Sequence, residues 1–474
     1  MMLLQLLGRS ARARSKATMA NLFFTPSESR QIGAVIVLVG LGIMCKPATA
    51  WTDHALGTRQ ALEAMSFVTS AKSVKVEALE SFVIAEGLRL TRLLADEEIW
   101  ARSNIPYYAS RPTALAFRPE GTSVETRASF LTALRINPSA KLTLFLQIAP
   151  GAVRSGPSFP WTEVTTLRQE TVARELTYLE LHEGDTAAAI DVVATASDEP
   201  DYGLDISLWE DNDTSWGKIY GFGKQPFGNP KFENSSQAPF HIGLYHEPAL
   251  LYTLAPFLNR TFPEYRIHLY RTLAMYAFRT GHPYWGWRFA GWALHYVQDL
   301  TQPYHARALP GVGLATVLWA NTLDQLGIHG PKTDAIQKIS NRHFALENYQ
   351  YHLMKAAYES GSSDAPVFAA LRDHSMDAVY PKWSDKSVRD IVSREAAEAA
   401  EATDALLAQN IPAEYVSNST HVFEASGTAP DLFELVEKSA PDGGSELKRG
   451  VLDLMRRFGI HSRRFIETFS PPPP

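Results

Sequence analysis

The chain has 474 residues, 45 % hydrophobic and 11 % aromatic, with a formal net charge of −6. That composition supplies a large core for one or two domains and excludes a disordered, collagen-like or low-complexity protein. The charge is uneven: the first 50 residues carry six basic groups (Arg9, Arg12, Arg14, Lys16, Arg30, Lys46) and one acid, Glu28, which leaves 39 basic and 50 acidic residues in the body. A body with that excess of acid is a poor general partner for nucleic acid, so no stable nucleic-acid partner is expected.

In chain order, the first element is a leader. Arg30 precedes the uncharged stretch IGAVIVLVGLGIM (32–44), which at 13 residues is too short to span a bilayer. ATA (48–50) comes next, placing small residues where signal peptidase needs them. The reading is a signal peptide at 1–50, cleaved after Ala50, and a secreted or periplasmic protein beginning at Trp51; an uncleaved anchor is the alternative. Cleavage would remove Cys45, the only cysteine. The mature protein would then have no disulfides and no thiolate chemistry, so its stability must come from burial or from metal.

Helical periodicity dominates the chain beyond the leader. DHALGTRQALEAM (53–65), VEALESFVIAEGLRLTRLLADEEIWAR (76–102), YRIHLYRTLAMYAFRT (265–280) and VRDIVSREAAEAAEATDALLAQ (388–409) all repeat apolar residues at three- and four-residue spacing. KLTLFLQIA (141–149) alternates only weakly and supports no sheet. Pro and Gly mark loops at 149–161, 198–237 and 306–332. YWGWRFAGW (284–292) has the helical spacing of core. LPGVGLATVLWANTLDQLGI (309–328) reads as a buried helix, with an apolar lid that meets lipid as the alternative. PPPP (471–474) reads as a disordered tail. The expected class is all-α with long loops.

Two histidine–acid pairs carry the chemistry. In LHYVQDLTQPYHA (294–306), His295 and Asp299 stand four apart on a helix stopped by Pro303, so they share one face, and His305 lies just past the stop. In NRHFALENYQYHL (341–353), His343 and Glu347 repeat the spacing. Imidazole nitrogen and carboxylate oxygen are zinc's usual ligands where cysteine is absent. An i,i+4 ion pair on a solvated helix explains either pair taken singly; two pairs with a third histidine between them favour metal.

LHYVQDLTQPYHA resembles the central metal motif of the zinc-dependent phospholipase C and S1/P1 nuclease superfamily, His-x3-Asp-x5-His with Gln-Pro before the last histidine. HFALEN resembles the His-x3-Glu form found in its phospholipases. The resemblance implies an all-α, multi-helix fold with helical insertions at about 62–195 and 309–340 in a single domain over 51–470. It implies about three zinc ions per chain, held by Trp51 (through its amine and carbonyl), His54, Asp201, His241, His295, Asp299, His305, His343 and Glu347. His54 comes after Trp51 more closely than the family spacing. SDEPDYGLD favours Asp201 over Asp198 and Asp205; SQAPFHIGLYHE favours His241 over His246. Asp201 and Asp299 would be catalytic, Asp299 bridging two ions and Asp201 orienting the water that attacks phosphorus. Tyr202 would contact a substrate head group. The implied activity is an exported phospholipase C-like phosphodiesterase acting on a phosphodiester such as a phospholipid, with transient contact at a membrane surface. The alternatives are an S1/P1-type nuclease or nucleotidase, and a non-catalytic zinc-stabilised interaction protein.

Overall fold

The computed structural model describes residues 51–470 apart from 154, 168–170, 229–233, 326, 424–429 and 440–443. The leader, its cleavage point, Cys45 and the tail at 471–474 therefore lie outside the described residues. The chain is 61 % helical and 4 % strand, the all-α class expected. Among the described residues no helix is long and apolar enough to cross a membrane.

The Pro283–Asp299 helix is the axis of the molecule: every residue from Tyr284 to Asp299 is buried. A helix apolar on all sides can only be interior, and Trp285, Phe289 and Trp292 fill the space around it as the YWGWRFAGW pattern predicts. The Pro263–Thr280 helix packs beside it, the two joined through Gly281 at φ 88, a left-handed helix end that favours glycine. The Ala189–Ala196 and Gly444–Ile466 helices pack against the axial helix, and the His54–Glu63 helix packs on both of them. One large apolar cluster contains the axis together with Phe82, Leu90 and Phe130 from the 62–195 segment. A second contains Trp51, Leu56, Tyr304 and Leu346. His54, His295, Asp299, His305 and Glu347 lie along the seam between them.

The helices expected over 53–65, 76–102 and 265–280 form as His54–Glu63, Leu79–Asn104 and Pro263–Thr280. The 388–409 segment opens with a wide π turn, Val388–Ser393, before the Arg394–Asn410 helix. Two expectations fail. Phe145–Ile148 is a strand after all, paired antiparallel with Thr177–Glu180, which also pairs with Ser158–Phe159. Weak alternation suffices there because a partner more than 25 residues downstream supplies the hydrogen bonds, and no local pattern announces it. The 309–328 stretch is helical over Leu314–Gln325 but is not buried: Leu318 is 38 % and Trp319 63 % exposed.

One close approach aligns the site. A Cβ on Gly291 would lie 2.5 Å from Ala196 Cβ and 2.7 Å from the Val193 carbonyl oxygen. Only glycine lets the Ala189–Ala196 helix cross so near the axis, which sets the adjoining Ser197–Asp201 residues beside His295. Buried ion pairs then clamp the loop on both sides: Arg288 Nε donates to Glu199 at 2.9 Å, and Arg266 donates to Asp205 at 2.6 Å. Gly291→Ala should therefore destabilise the protein by about 1–3 kcal/mol, the usual range for overpacking. Gly313→Ala, where a Cβ meets nothing within 4 Å, is the control. Urea denaturation midpoints of the two variants check this.

Candidate metal centre

The axial helix presents His295 and Asp299 one turn apart at its C-terminal end. Pro303 cannot continue that helix and instead starts a four-residue turn of helix, Pro303–Ala306, that swings His305 back. The 30-residue Gly330–Glu359 helix supplies His343 and Glu347. His54 opens the His54–Glu63 helix, capped by Asp53, whose own backbone is left-handed at φ 60. Asp201 sits on a 3-10 turn, Glu199–Tyr202, and His241 ends the short Ala238–His241 helix.

These residues converge. His295 Nε2 lies 3.3 Å from Asp299 Oδ2, 3.0 Å from His241 Nδ1 and 3.7 Å from Asp201 Oδ1. His241 Nδ1 lies 2.8 Å from Asp299 Oδ2 and 3.8 Å from Asp201 Oδ1. Donors held 2.0–2.1 Å from a tetrahedral zinc stand roughly 3.3 Å apart, so His241, His295 and Asp299 outline one candidate ligand group, while Asp201 groups with His54 and His295. His305 Nε2 is 3.2 Å from His343 Nε2, which is 2.7 Å from Glu347 Oε1. These three form a second ligand group. The other oxygen of Asp299, Oδ1, faces His54 Nε2 at 3.3 Å. Asp299 thus turns one oxygen to His241 and His295 and the other to His54.

The outer contacts fix which nitrogen faces inward. Nδ1–H of His295 donates to the Ser197 carbonyl at 2.7 Å, that of His305 to the His241 carbonyl at 3.1 Å, and that of His54 to Gln298 Oε1 at 2.8 Å. Each leaves an Nε2 lone pair for the centre, the usual support of a metal-binding histidine. Gln298 is itself held by donating to Thr58 and Ser462, and Gln302 Nε2 donates to Glu347 Oε1 at 3.2 Å. His54 Nε2 and Asp299 Oδ1 are buried and have no hydrogen-bond partner. Two such atoms aimed at each other are expensive in a dry interior unless positive charge, a proton on His54 or a bound cation, lies between them, and the donor set fits metal.

The remaining candidates fall outside this set or beside it. Asp205 is no ligand: it takes hydrogen bonds from Arg266 and from Tyr296 and stands 3.6 Å behind His241 Nε2. Asp198 accepts from Gln147 Nε2 at 2.6 Å, and His246 bonds the Arg389 carbonyl far along the chain. Trp51 is buried, and its indole donates to Thr301 Oγ1 at 2.9 Å, tying this part of the chain to the end of the axial helix. Tyr202 is buried too; its hydroxyl donates to Gln147 Oε1 at 2.6 Å and its ring packs on Phe145 and Tyr178. Sequence reasoning missed Asp53, which shares Gln147 Nε2 with Asp198 and is pushed well above the carboxylate range by burial and by Asp198. Its only signal was an acid immediately before His54.

A cavity of about 430 Å³ lies to one side, lined by Arg59, Gln60, Gln147 and Tyr358 but by none of the ligand residues. The cluster itself is enclosed. The side chains of His241, His295 and Asp299 are fully buried, and Asp201, 14 % exposed, is more open than they are. No family model, curated protein or solved structure matches the chain.

Burial pushes His295, His305 and His343 down to about 3, so they are neutral ligands in neutral solution. Burial opposes protonation of His54 and His241 as well, but the surrounding carboxylates together, Asp299 foremost and Asp205 also for His241, outweigh it and raise them to about 9 and about 10. Burial raises Asp201 to about 8. In the metal-free protein at pH 7 these three groups hold protons that ligation must displace. Zinc binding should therefore release protons from His54, His241 and Asp201, and apparent affinity should climb steeply from pH 6 to pH 8. Calorimetric titration in two buffers of different ionisation enthalpy measures the count; proton-free binding would refute the ligand set.

Proposed function

We propose that this chain is an exported zinc-dependent phosphodiesterase of the phospholipase C and S1/P1 nuclease type, on the phospholipase C side. The observation that carries the reading is the placing of Asp299 between histidines, one oxygen toward His241 and His295 and the other toward His54. A carboxylate shared in this way, with the separate His305–His343–Glu347 group of only three protein donors, would leave coordination positions for water and substrate, as catalytic rather than structural zinc requires. Bound zinc supplies a water acidified toward ~pH 7 and a positive field for phosphoryl oxygens.

The chain's own groups do the rest. Asp201 is the most open side chain of the His54–Asp201–His295 group, so a phosphodiester approaches there, and its carboxylate can orient the attacking water and accept its proton. The Glu199–Arg288 and Asp205–Arg266 clamps keep that carboxylate aimed. Glu347 in the third ligand position, the acidic body and the Asp201–Tyr202 pair support phospholipid over nucleic acid. Such a substrate entails transient contact with a membrane surface.

One observation favours a second reading, in which zinc staples the helices without turnover: His54, His241, His295, Asp299 and His305 are all 0 % exposed, and closed sites are typically structural. Incubating the processed, zinc-loaded protein with phosphatidylcholine and with single-stranded DNA separates the readings. Release of diacylglycerol without DNA cleavage is expected, and Asp299→Asn should reduce it by about a hundredfold or more, the scale of losing one well-placed electrostatic partner. DNA cleavage alone would select the nuclease. Turnover of neither substrate, with a melting temperature that falls on chelation, would select the staple.

A further inference from the structure

The Leu79–Asn104 helix buries Phe82, Val83, Leu90, Leu94 and Ala101 against the main core. Its outer side departs from the polar face such a helix ordinarily turns to water. Ile84, Leu88 and Ile99 are 58, 84 and 64 % exposed. At 100° per residue they share an arc of about 80° with Thr91 and Ala95, so the apolar side chains form a continuous stripe about 22 Å long. Single exposed apolar residues need no explanation, but an aligned set does.

The charges beside the stripe say what covers it. Arg89 is paired with Glu86, and Arg102 with Glu98, within the helix. Arg92 and Asp96, both exposed, have no ion-pair partner among the described residues. We propose that the stripe is the contact surface of a symmetric homodimer, in which this helix packs antiparallel against the same helix of a second copy. A two-fold axis makes every contact twice. In the register that sets Leu88 against Ile99 of the other copy, Arg92 falls opposite Ala95 and one residue, about 1.5 Å of helix rise, from Asp96, within reach of its long side chain, so one alignment joins the apolar side chains and both free charges. The small Thr91 and Ala95 lie at the centre, where the helices must come closest. A parallel pair would carry Arg92 of one copy and Asp96 of the other to opposite flanks of the contact, so the free charges would not meet. A stripe of this length lies at the small end of specific interfaces, so the dimer dissociates on dilution.

Analytical ultracentrifugation of the processed protein tests this. A concentration-dependent dimer is expected, converted to monomer by Leu88→Glu with helical content unchanged. Arg92→Glu should weaken association by about tenfold, and adding Asp96→Arg should restore it, as for a close complementary pair. In the same processed protein, which would have no other cysteine, Leu88→Cys mixed with Ile99→Cys should cross-link on oxidation, whereas neither alone should. A monomer at about 100 μM, a dimer indifferent to Leu88→Glu, or mixed cysteine variants that fail to cross-link would overturn the proposal. So would a monomer that instead binds neutral phosphatidylcholine vesicles through Leu88.

Discussion

A carboxylate at the end of a wholly buried helix is the constraint on which the rest of the centre depends. Burial opposes the ionisation of Asp299, yet the hydrogen bond and positive charge of His241, 2.8 Å away, more than offset it and hold its pKa well below the usual carboxylate range. Its Oδ1 has no hydrogen bond and looks at an equally unpaired His54 nitrogen. An interior this dry tolerates such atoms only if positive charge is shared among them. His54, His241, Asp201 and the turn that returns His305 are arranged to meet that demand.

The fold meets it with rigid parts. The Gly291 crossing brings the Ser197 carbonyl onto His295, and two buried arginines hold the Glu199–Asp205 loop from either side. Gln298 and Gln302, one turn apart in the same segment, orient His54 and Glu347. Asp205, reached through Arg266 and Tyr296, stands behind His241. His54, His241, His295, His305 and Glu347 therefore each have a partner besides the ligand atoms, so their positions are set by packing before any ion arrives.

Much of this was legible because it is local. His295–Asp299 and His343–Glu347 share helix faces by spacing alone, and Pro303 announces the break that returns His305. The choice between His241 and His246 was not local: the two are five residues apart, and only the path of the chain after His241 sends His246 to Arg389. Asp205 could be told from Asp201 only by Arg266 and Tyr296, more than 60 residues onward. The Phe145–Ile148 strand failed for the same reason, its partner being distant. The Leu314–Gln325 helix was misjudged because apolar content does not reveal whether a neighbour covers it.

The sequence by itself determined the helical class, the two histidine–acid pairs, the aromatic axis and the acidic body, all of which depend on residue type and intervals of two to four positions. Only the tertiary structure decided which donors share a centre, which oxygen of Asp299 serves which histidine, and that Ile84, Leu88 and Ile99 are left uncovered. Those outcomes depend on contacts between segments tens to hundreds of residues apart, and periodicity along a chain carries no information about which segments will meet.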